Sequence, residues 1–167
     1  MPVFSTDTLV CYEAGGTSIP RLVAAEGWRA FRQREMEVLQ KLSGMQQVLI
    51  DCGGGIVVDL PETESTESTE SAEEIFSDRK VNLLKSSARV VYVKRDRDWL
   101  LDRVKGDPSR PSLSGTRAYE AILDRRLPWY EAAADFILDM RDLSVEEAIG
   151  VLLHELPFLK HRDALSA

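Results

Sequence analysis

The sequence predicts an α/β protein with three layers, in which helices cover both faces of a parallel β-sheet. Short runs of β-branched and aromatic residues alternate along the chain with segments of helical periodicity, and this alternation is typical of βαβ units. The length of 167 residues suits one domain with a real hydrophobic core. Hydrophobic residues make up 44% and charged residues 29% of the chain, which are ordinary values for a globular protein. We therefore expect a single domain spanning residues 1–167.

Four short apolar segments are predicted to be strands. They are residues 2–5, 47–51, 89–94 and 136–138. The second stops just before three consecutive glycines at 53–55, as a buried parallel strand that ends in a loop would. The third and fourth are β-branched or aromatic runs of the same kind.

Four segments with helical patterns fall between or after these strands. They are residues 28–44, 96–105, 117–134 and 144–157. In the first, apolar residues recur at helical spacing up to Gly44, a common C-terminal stop. Pro128 is expected to disturb the third helix. The fourth begins with an S-x-x-E capping box formed by Ser144 and Glu147, and Pro157 closes it.

The charge balance and hydropathy argue against nucleic-acid and membrane partners. With 21 Lys and Arg against 28 Asp and Glu the net charge is -7, so attraction to phosphate backbones or anionic lipid is disfavoured. No apolar stretch approaches the roughly 20 residues that span a bilayer. The N-terminus lacks the pattern of a secretory signal. We expect a cytoplasmic monomer.

Several polar or reactive residues are predicted to have no catalytic role. The Glu-, Ser- and Thr-rich tract at 61–74 cannot bury enough surface to order itself, so we expect a flexible surface insertion, with a phosphorylatable or partner-binding element as the alternative. Cys11 and Cys52 are too few for a disulfide framework or a zinc site and are expected to be reduced packing residues. His154 and His161 have no nucleophile nearby in the sequence. No metal-ligating side chain is predicted.

Candidate ligand-binding residues follow the carboxyl ends of strands, where α/β sheets bind their ligands. Asp7 follows the first strand, and the glycines at 53–55 follow the second and leave their amides open to a polar ligand. Arg32 could hold a carboxylate through two hydrogen bonds. Arg110 lies in a Gly-, Pro- and Ser-rich stretch, 106–117, that is typical of a mobile lid. These residues could also have no role in ligand binding. The glycines could simply form a tight turn, and the arginines could be solvated surface charges.

Six short motifs become specific when they are taken together. They are Ser-Thr-Asp at 5–7, Thr-Ser-Ile-Pro at 17–20, Phe-Arg-x-x-Glu at 31–35, Gly-Gly-Gly at 53–55, Arg-Pro-x-Leu at 110–113 and Arg-x-Pro-x-Tyr at 126–130. Their order and spacing resemble those of the shikimate kinase family, small kinases related in fold to nucleoside monophosphate kinases. The resemblance extends from residue 2 to about residue 155 and implies a P-loop kinase-like parallel sheet.

The resemblance implies transfer of the γ-phosphate of ATP, with Mg²⁺, to the 3-hydroxyl of shikimate, on the route to chorismate and the aromatic amino acids. It implies that the substrate contacts Asp7, Arg32, Gly53, Gly54, Gly55 and Arg126. Asp7 would orient the attacking hydroxyl or accept its proton, and is a catalytic candidate. Arg32 and Arg126 would hold the substrate carboxylate, and Glu35 would orient the arginine. In the last motif only Arg126 is expected to face the substrate, while Tyr130 packs its helix on the sheet.

The resemblance also implies nucleotide-binding residues. Arg110 would reach over the transferred phosphoryl group and is the second catalytic candidate, while Arg103 would lie against adenine. Arg141 is a further, poorly aligned candidate for the nucleotide. Phosphoryl transfer requires mainly positioning and charge neutralisation, which arginines and backbone amides can supply.

The sequence departs from the family where the family binds phosphate. Family members begin with a strand, a G-x-x-x-x-G-K-[ST] loop and a helix, and this motif is absent from the 167 residues. Such a loop holds the phosphates and the magnesium ion, so the ligands of Mg²⁺ with ATP are expected to be largely missing. Gly-Gly-Thr-Ser at 15–18 has no following Lys and comes after a helical pattern. Ser5 stands where the family often has an aspartate near the magnesium.

The absent segment corresponds to the first strand of the family, which is central in a sheet of order 2-3-1-4-5. Without that strand, the strands at 47–51 and 89–94 each have an unpaired edge. Each backbone group that is buried there without a hydrogen-bond partner would lower stability by roughly 1–3 kcal/mol. We therefore expect Met1 to be an internal methionine of a longer kinase. In a plant source, the preceding segment would include a plastid transit peptide.

Two functional hypotheses remain open. The first is shikimate phosphorylation by the longer parent protein. The second is a non-catalytic shikimate kinase-like module that binds the acid and cannot hold ATP. Action on another hydroxy acid such as gluconate is disfavoured by the Arg-Pro-x-Leu motif and the paired arginines.

Overall fold

The structure is a computed structural model that describes residues 1–61, 74–104 and 116–160. Most of the acidic tract and of the 106–117 stretch, including Arg110, therefore lies outside the described residues, as does His161. The elements in chain order are β1 Val3–Ser5, α1 Thr6–Glu13, α2 Ile19–Ser43, β2 Leu49–Asp51, β3 Val58–Asp59, β4 Ile75–Phe76, α3 Asp78–Ser87, β5 Val91–Lys94, α4 Arg97–Val104, α5 Thr116–Ala133, β6 Phe136–Asp139, α6 Val145–Glu155 and a final 3-10 turn, Pro157–Lys160.

The strands form parallel pairs, as the sequence predicts. β1 pairs with β2, with Val3 opposite Leu49, and β5 pairs with β6, with Val91 opposite Phe136. β3 and β4 form a short antiparallel ladder. Within the described ranges the two parallel pairs do not join, so β2 and β5 each have one edge without a partner strand. Leu49 of β2 and Val93 of β5 are each about half exposed. These are the two edges at which the sequence predicts a gap.

α2 is longer than the predicted helix and is broken by a glycine. It begins at Ile19, after Ser18, with a proline in its first turn, and ends at Ser43, before Gly44. Gly27 interrupts it with φ 82° and ψ 168°, a conformation that is essentially confined to glycine. The half after Gly27 matches the predicted helix at 28–44, and the half before it was not predicted.

α3, β3 and β4 were also not predicted, for physical reasons. The two strands have only two residues each, too few for any periodicity to show. In α3 the buried face consists of Val81, Leu84 and a lysine, Lys80, so its apolar stripe is incomplete. The predicted helices at 96–105 and 117–134 appear as α4 and α5 with nearly the same bounds, and Pro128 lies inside α5 without ending it.

Among the described residues the core consists of three apolar clusters, and α2 joins two of them. One packs β1 and α1 on α2 through Val10, Phe31 and Val38. The second joins Leu39 of α2 to the chain at 56–58, to α3 and to α5. The third lies between β6 and α6. Because the second cluster starts directly after the glycines at 53–55, it fixes where that turn sits.

The predicted capping box of α6 is confirmed. The Ser144 hydroxyl accepts a hydrogen bond from the Glu147 amide at 3.2 Å, and the Glu147 carboxylate accepts one from the Ser144 amide at 2.8 Å. No helix in the described part of the chain is long and apolar enough to cross a membrane.

The minor sequence predictions agree with the structure where it describes them. Cys11 and Cys52 are free thiols, and burial raises the pKa of Cys52 to about 12, so this thiol stays protonated and packs against the core. His154 is exposed at the end of α6 and contacts only its neighbour Glu155 among the contacts described.

Two glycine substitutions test the break in α2. Gly27→Ala is expected to lower the free energy of unfolding by about 1–3 kcal/mol, because a Cβ strains the backbone at that φ and ψ. Gly150→Ala is the matched control. It lies inside α6 with no atom within 4 Å of an added Cβ, and is expected to raise stability by about 0.5–1 kcal/mol. Urea unfolding measures both, and changes of the same sign would contradict the assigned backbone at Gly27.

Candidate active site

The turn at residues 53–55 has no side chains because three functional groups lie against it. A Cβ added at the first glycine would lie 2.8 Å from a carboxylate oxygen of Asp7, and one at the second 3.1 Å from the hydroxyl of Tyr130. One at the third would overlap the guanidinium of Arg32. The interpretation of these glycines as merely a tight turn is therefore insufficient. The turn brings residues from α1, α2 and α5 to one place.

Thr6 ties the end of β1 to this turn. It is completely buried, and its hydroxyl donates to the carbonyl of Asp51 at 3.4 Å and accepts from the amide of Gly53 at 3.3 Å. The preceding residue, Ser5, caps α1 by accepting a hydrogen bond from the Thr8 amide at 3.4 Å. The start of α1, which carries Asp7, is thus fixed relative to the glycines.

Asp7 is a half-buried carboxylate in an acidic environment. Burial raises its pKa, and the nearby carboxylates of Glu35 and Asp51 raise it further, while Arg32 opposes them. A carboxylate with a raised pKa is a better proton acceptor than an exposed one. Asp7 is therefore suited to orient a hydroxyl and to take up its proton.

Arg32 is held in a buried cluster of charges. The exposed fractions of Arg32, Glu35 and Lys80 are 5%, 1% and 0%. Nη1 of Arg32 donates to Oε2 of Glu35 at 2.8 Å and to the carbonyl of Gly55 at 3.2 Å. Nζ of Lys80 donates to the same Oε2 at 3.0 Å. Glu35 thus contacts Arg32 directly, and it also accepts a hydrogen bond from a lysine that the sequence motifs did not indicate.

The other side of the Arg32 guanidinium is less satisfied. Its carbon lies 5.3 Å from the ring centre of Trp28 and 5.2 Å from that of Phe31. Nε is buried and has no hydrogen-bond partner among the residues that the structure describes. A buried donor without a partner costs free energy.

Arg126 is bound to a carboxylate of the acidic tract. Nε donates to Oε2 of Glu74 at 3.0 Å, and Nη2 donates to the other oxygen, so the pair is bidentate. At the opposite end of the tract, the carbonyl of Pro61 accepts a hydrogen bond from Arg29 at 2.8 Å. The solvated insertion expected at 61–74 is therefore anchored at both described ends, and Glu74 is mostly buried.

Tyr130 lies one helical turn after Arg126 and also reaches the glycines. Its hydroxyl donates to the carbonyl of Gly54 at 2.7 Å, and its ring packs on Tyr92 with ring centres 5.4 Å apart. The predicted packing of Tyr130 is confirmed by its ring contacts, and its hydroxyl additionally contacts the glycine turn. The Arg-x-Pro-x-Tyr spacing, i to i+4 on a helix, was the signal that could have found it.

Three arginines are candidates for contact with the nucleotide, and two of them, Arg103 and Arg141, lie among the described residues. Arg103 is exposed on α4, with its guanidinium 5.4 Å from the ring centre of Trp99. Arg141 forms an ion pair with Asp139 at 2.7 Å. Arg110 and most of the predicted lid are not described.

Two observations on the described residues bear on a site for Mg²⁺ with ATP. No group of three or more Asp, Glu, His or Cys side chains among them is placed to hold a metal ion. Gly15 and Gly16 have φ values of 66° and 83°, and the Gly16 amide donates to the carbonyl of Cys11, which ends α1. This glycine pair closes a helix, whereas a phosphate-binding loop opens one.

Comparison with known proteins gives one family. A family model described as shikimate kinase matches residues 1–157. The shikimate kinase of Leptospira biflexa is 44% identical over 153 residues, covering 92% of this chain and 80% of its own. That of Leptospira borgpetersenii is 39% identical over 160 residues, covering 95% and 85%.

Solved structures give the same result for the fold. A shikimate kinase from Acinetobacter baumannii in complex with shikimate has a TM-score of 0.71 at 23% identity, covering 94% of this chain and 79% of that one. The enzyme from Aquifex aeolicus has a TM-score of 0.70 at 25% identity, covering 96% and 84%. The chain therefore belongs to the shikimate kinase family.

Proposed function

We propose that this protein binds shikimate across the glycine turn at 53–55 and serves the family reaction, phosphorylation of the 3-hydroxyl on the route to chorismate. One observation carries the proposal. A carboxylate, Asp7, lies against the first glycine, and a buried guanidinium, Arg32, lies against the third. Shikimate is a small ring with a carboxylate at one end and hydroxyls at the other. The charges on the two sides of the turn complement it.

Two arginines would hold the substrate carboxylate. Glu35 and the Gly55 carbonyl accept hydrogen bonds from Nη1 of Arg32, which leaves its other terminal nitrogen, Nη2, for the ligand. Arg126 already binds a carboxylate with two parallel hydrogen bonds, that of Glu74. The substrate carboxylate would replace it in the same geometry.

Asp7 would act on the hydroxyl end of the ring. In phosphoryl transfer the protein mainly positions the nucleophile and neutralises charge, so orientation of the 3-hydroxyl is its principal contribution. Its raised pKa favours acceptance of the hydroxyl proton. The glycine amides border the ring without steric hindrance.

The family reaction uses ATP, generally with Mg²⁺. We propose that Arg103 and Arg110 contact the nucleotide, as the family resemblance implies. A second candidate function is an acid-binding module without kinase activity. The bacterial origin of the named relatives supports the proposed cytoplasmic location.

Isothermal titration of the 167-residue protein with shikimate and, separately, with ATP tests the proposal. Shikimate is expected to bind. Arg126→Met is expected to weaken this binding about 10- to 100-fold, because the proposed bidentate, charge-assisted contact between Arg126 and the substrate carboxylate is lost. Arg125→Met is the matched control. The Arg125 side chain is more exposed than that of Arg126, and its Nη1 lies 3.9 Å from Oε2 of Glu74. ATP binding would favour the kinase over the module. Failure of the wild-type protein to bind shikimate would contradict both candidate functions.

Removal of the Glu74 carboxylate is expected to strengthen shikimate binding. In Glu74→Gln the amide no longer competes as an anion for Arg126, so the substrate carboxylate displaces a weaker partner. We expect a fall in the dissociation constant of about 5-fold, or roughly 1 kcal/mol. Glu120→Gln, an exposed change on α5, should leave it unaltered. Unchanged or weaker binding in Glu74→Gln would show that Glu74 does not compete with the substrate.

Asp7→Asn should stabilise the fold at neutral pH while it weakens shikimate binding. The pKa of Asp7 is higher in the folded than in the unfolded protein, so its ionisation costs stability as the pH rises through the folded value. The gain should therefore be present at pH 7 and absent below the ordinary pKa of an aspartate. Urea unfolding at several pH values measures it, with the exposed Asp142→Asn as the control. A loss of stability at pH 7 would contradict the assignment.

A further inference from the structure

Lys80 shares one carboxylate with the proposed substrate arginine. It is completely buried on α3, and its Nζ lies 3.0 Å from Oε2 of Glu35. The same oxygen accepts from Nη1 of Arg32 at 2.8 Å. A single buried carboxylate thus serves two buried cations.

Two neighbouring carboxylates, Asp59 and Asp7, act on this cluster through space, and neither forms a hydrogen bond to Arg32 or Lys80 among the contacts described. The carboxylate on the α3 side, Asp59, is already bound bidentately by Arg79, at 2.6 and 2.8 Å, and accepts from the Ser77 hydroxyl at 2.8 Å. Asp7 approaches from α1, but it lies against the turn and is itself only half buried. Arg32, Glu35 and Lys80 together therefore carry a net charge of about +1 in a nearly solvent-free place.

A buried net charge is costly unless a ligand or partner compensates it. Arg32 shows the corresponding deficiency, because its buried Nε has no hydrogen-bond partner among the described residues. Both features would be relieved by an anion that enters beside Arg32. The cluster is thus arranged to receive a negative charge.

We infer that Lys80 is a positioning residue that keeps Arg32 attractive to the substrate carboxylate by neutralising Glu35. This inference rests on the proposed shikimate site. Without the lysine charge, Glu35 and Arg32 form a closed neutral pair that has little further attraction for an anion. With it, Glu35 still orients Arg32 through a hydrogen bond, and the positive charge of the cluster remains for the ligand.

A purely structural lysine would behave differently. If Lys80 only filled space or held α3 on α2, its replacement would weaken acidic and neutral ligands alike. If it sets the charge of the cluster, replacement would weaken the acid selectively, and removal of the Glu35 charge would restore the selectivity. The preference for the acid over its neutral ester separates the two roles.

The test is titration calorimetry with shikimate and with methyl shikimate, whose carboxylate is replaced by a neutral ester. The wild-type protein is expected to prefer the acid. Lys80→Met should reduce that preference about 10-fold, because the cluster becomes neutral. The double variant Lys80→Met with Glu35→Gln has the charge of Arg32 alone and should regain most of it. Lys85→Met, which removes a lysine from the exposed face of the same helix, is the control and should resemble the wild type.

Each outcome decides. Lys80→Gln keeps a hydrogen-bond donor for Glu35 without the charge, so it replaces Lys80→Met if that variant does not fold, with the same expected loss of preference. An undiminished preference in these neutral variants, or a double variant that does not regain it, overturns the inference and leaves the shikimate site intact. A wild-type protein that binds neither ligand overturns the proposed function instead.

Discussion

The site depends on one steric constraint, the absence of side chains at residues 53–55. The carboxylate of Asp7, the hydroxyl of Tyr130 and the guanidinium of Arg32 occupy the space that three Cβ atoms would need. Their parent helices are fixed to the same turn by contacts to its backbone, including those of Thr6 and Tyr130 to Gly53 and Gly54. A side chain at this turn would have to displace these functional groups.

Burial of charge is the second property from which the proposed activity follows. Arg32, Glu35 and Lys80 lie between α2 and α3, where water does not screen them. Such clusters contribute less to stability than apolar residues of similar volume, because each charge has lost its hydration. In this cluster, the hydrogen bonds of Nη1 to Glu35 and to the Gly55 carbonyl hold the guanidinium of Arg32 in one orientation. Asp7 resembles them, since burial raises its pKa and its ionisation therefore costs stability.

Much of the fold and part of the site could be predicted from the sequence, because the signals were local. Strand composition gave the four parallel strands, the Ser144 and Glu147 spacing gave the cap of α6, and the ordered short motifs gave the family. Lys80 and Glu74 were missed because their roles arise from partners 45 and 52 residues away. The helix α3 itself was not predicted, because Lys80 interrupts the apolar face by which a helix is recognised in the sequence. Within the described residues the two parallel strand pairs do not join.

The most direct measurement is an amide nitrogen–proton correlation spectrum of the protein titrated with shikimate, in which glycine amides are well resolved. Binding across the turn requires the signals of Gly53, Gly54 and Gly55 to shift in a saturable manner, with those of Gly15 and Gly16 at the end of α1 unchanged. Saturable shifts that leave the three turn glycines in place would contradict the account, since the ligand would then occupy another part of the molecule.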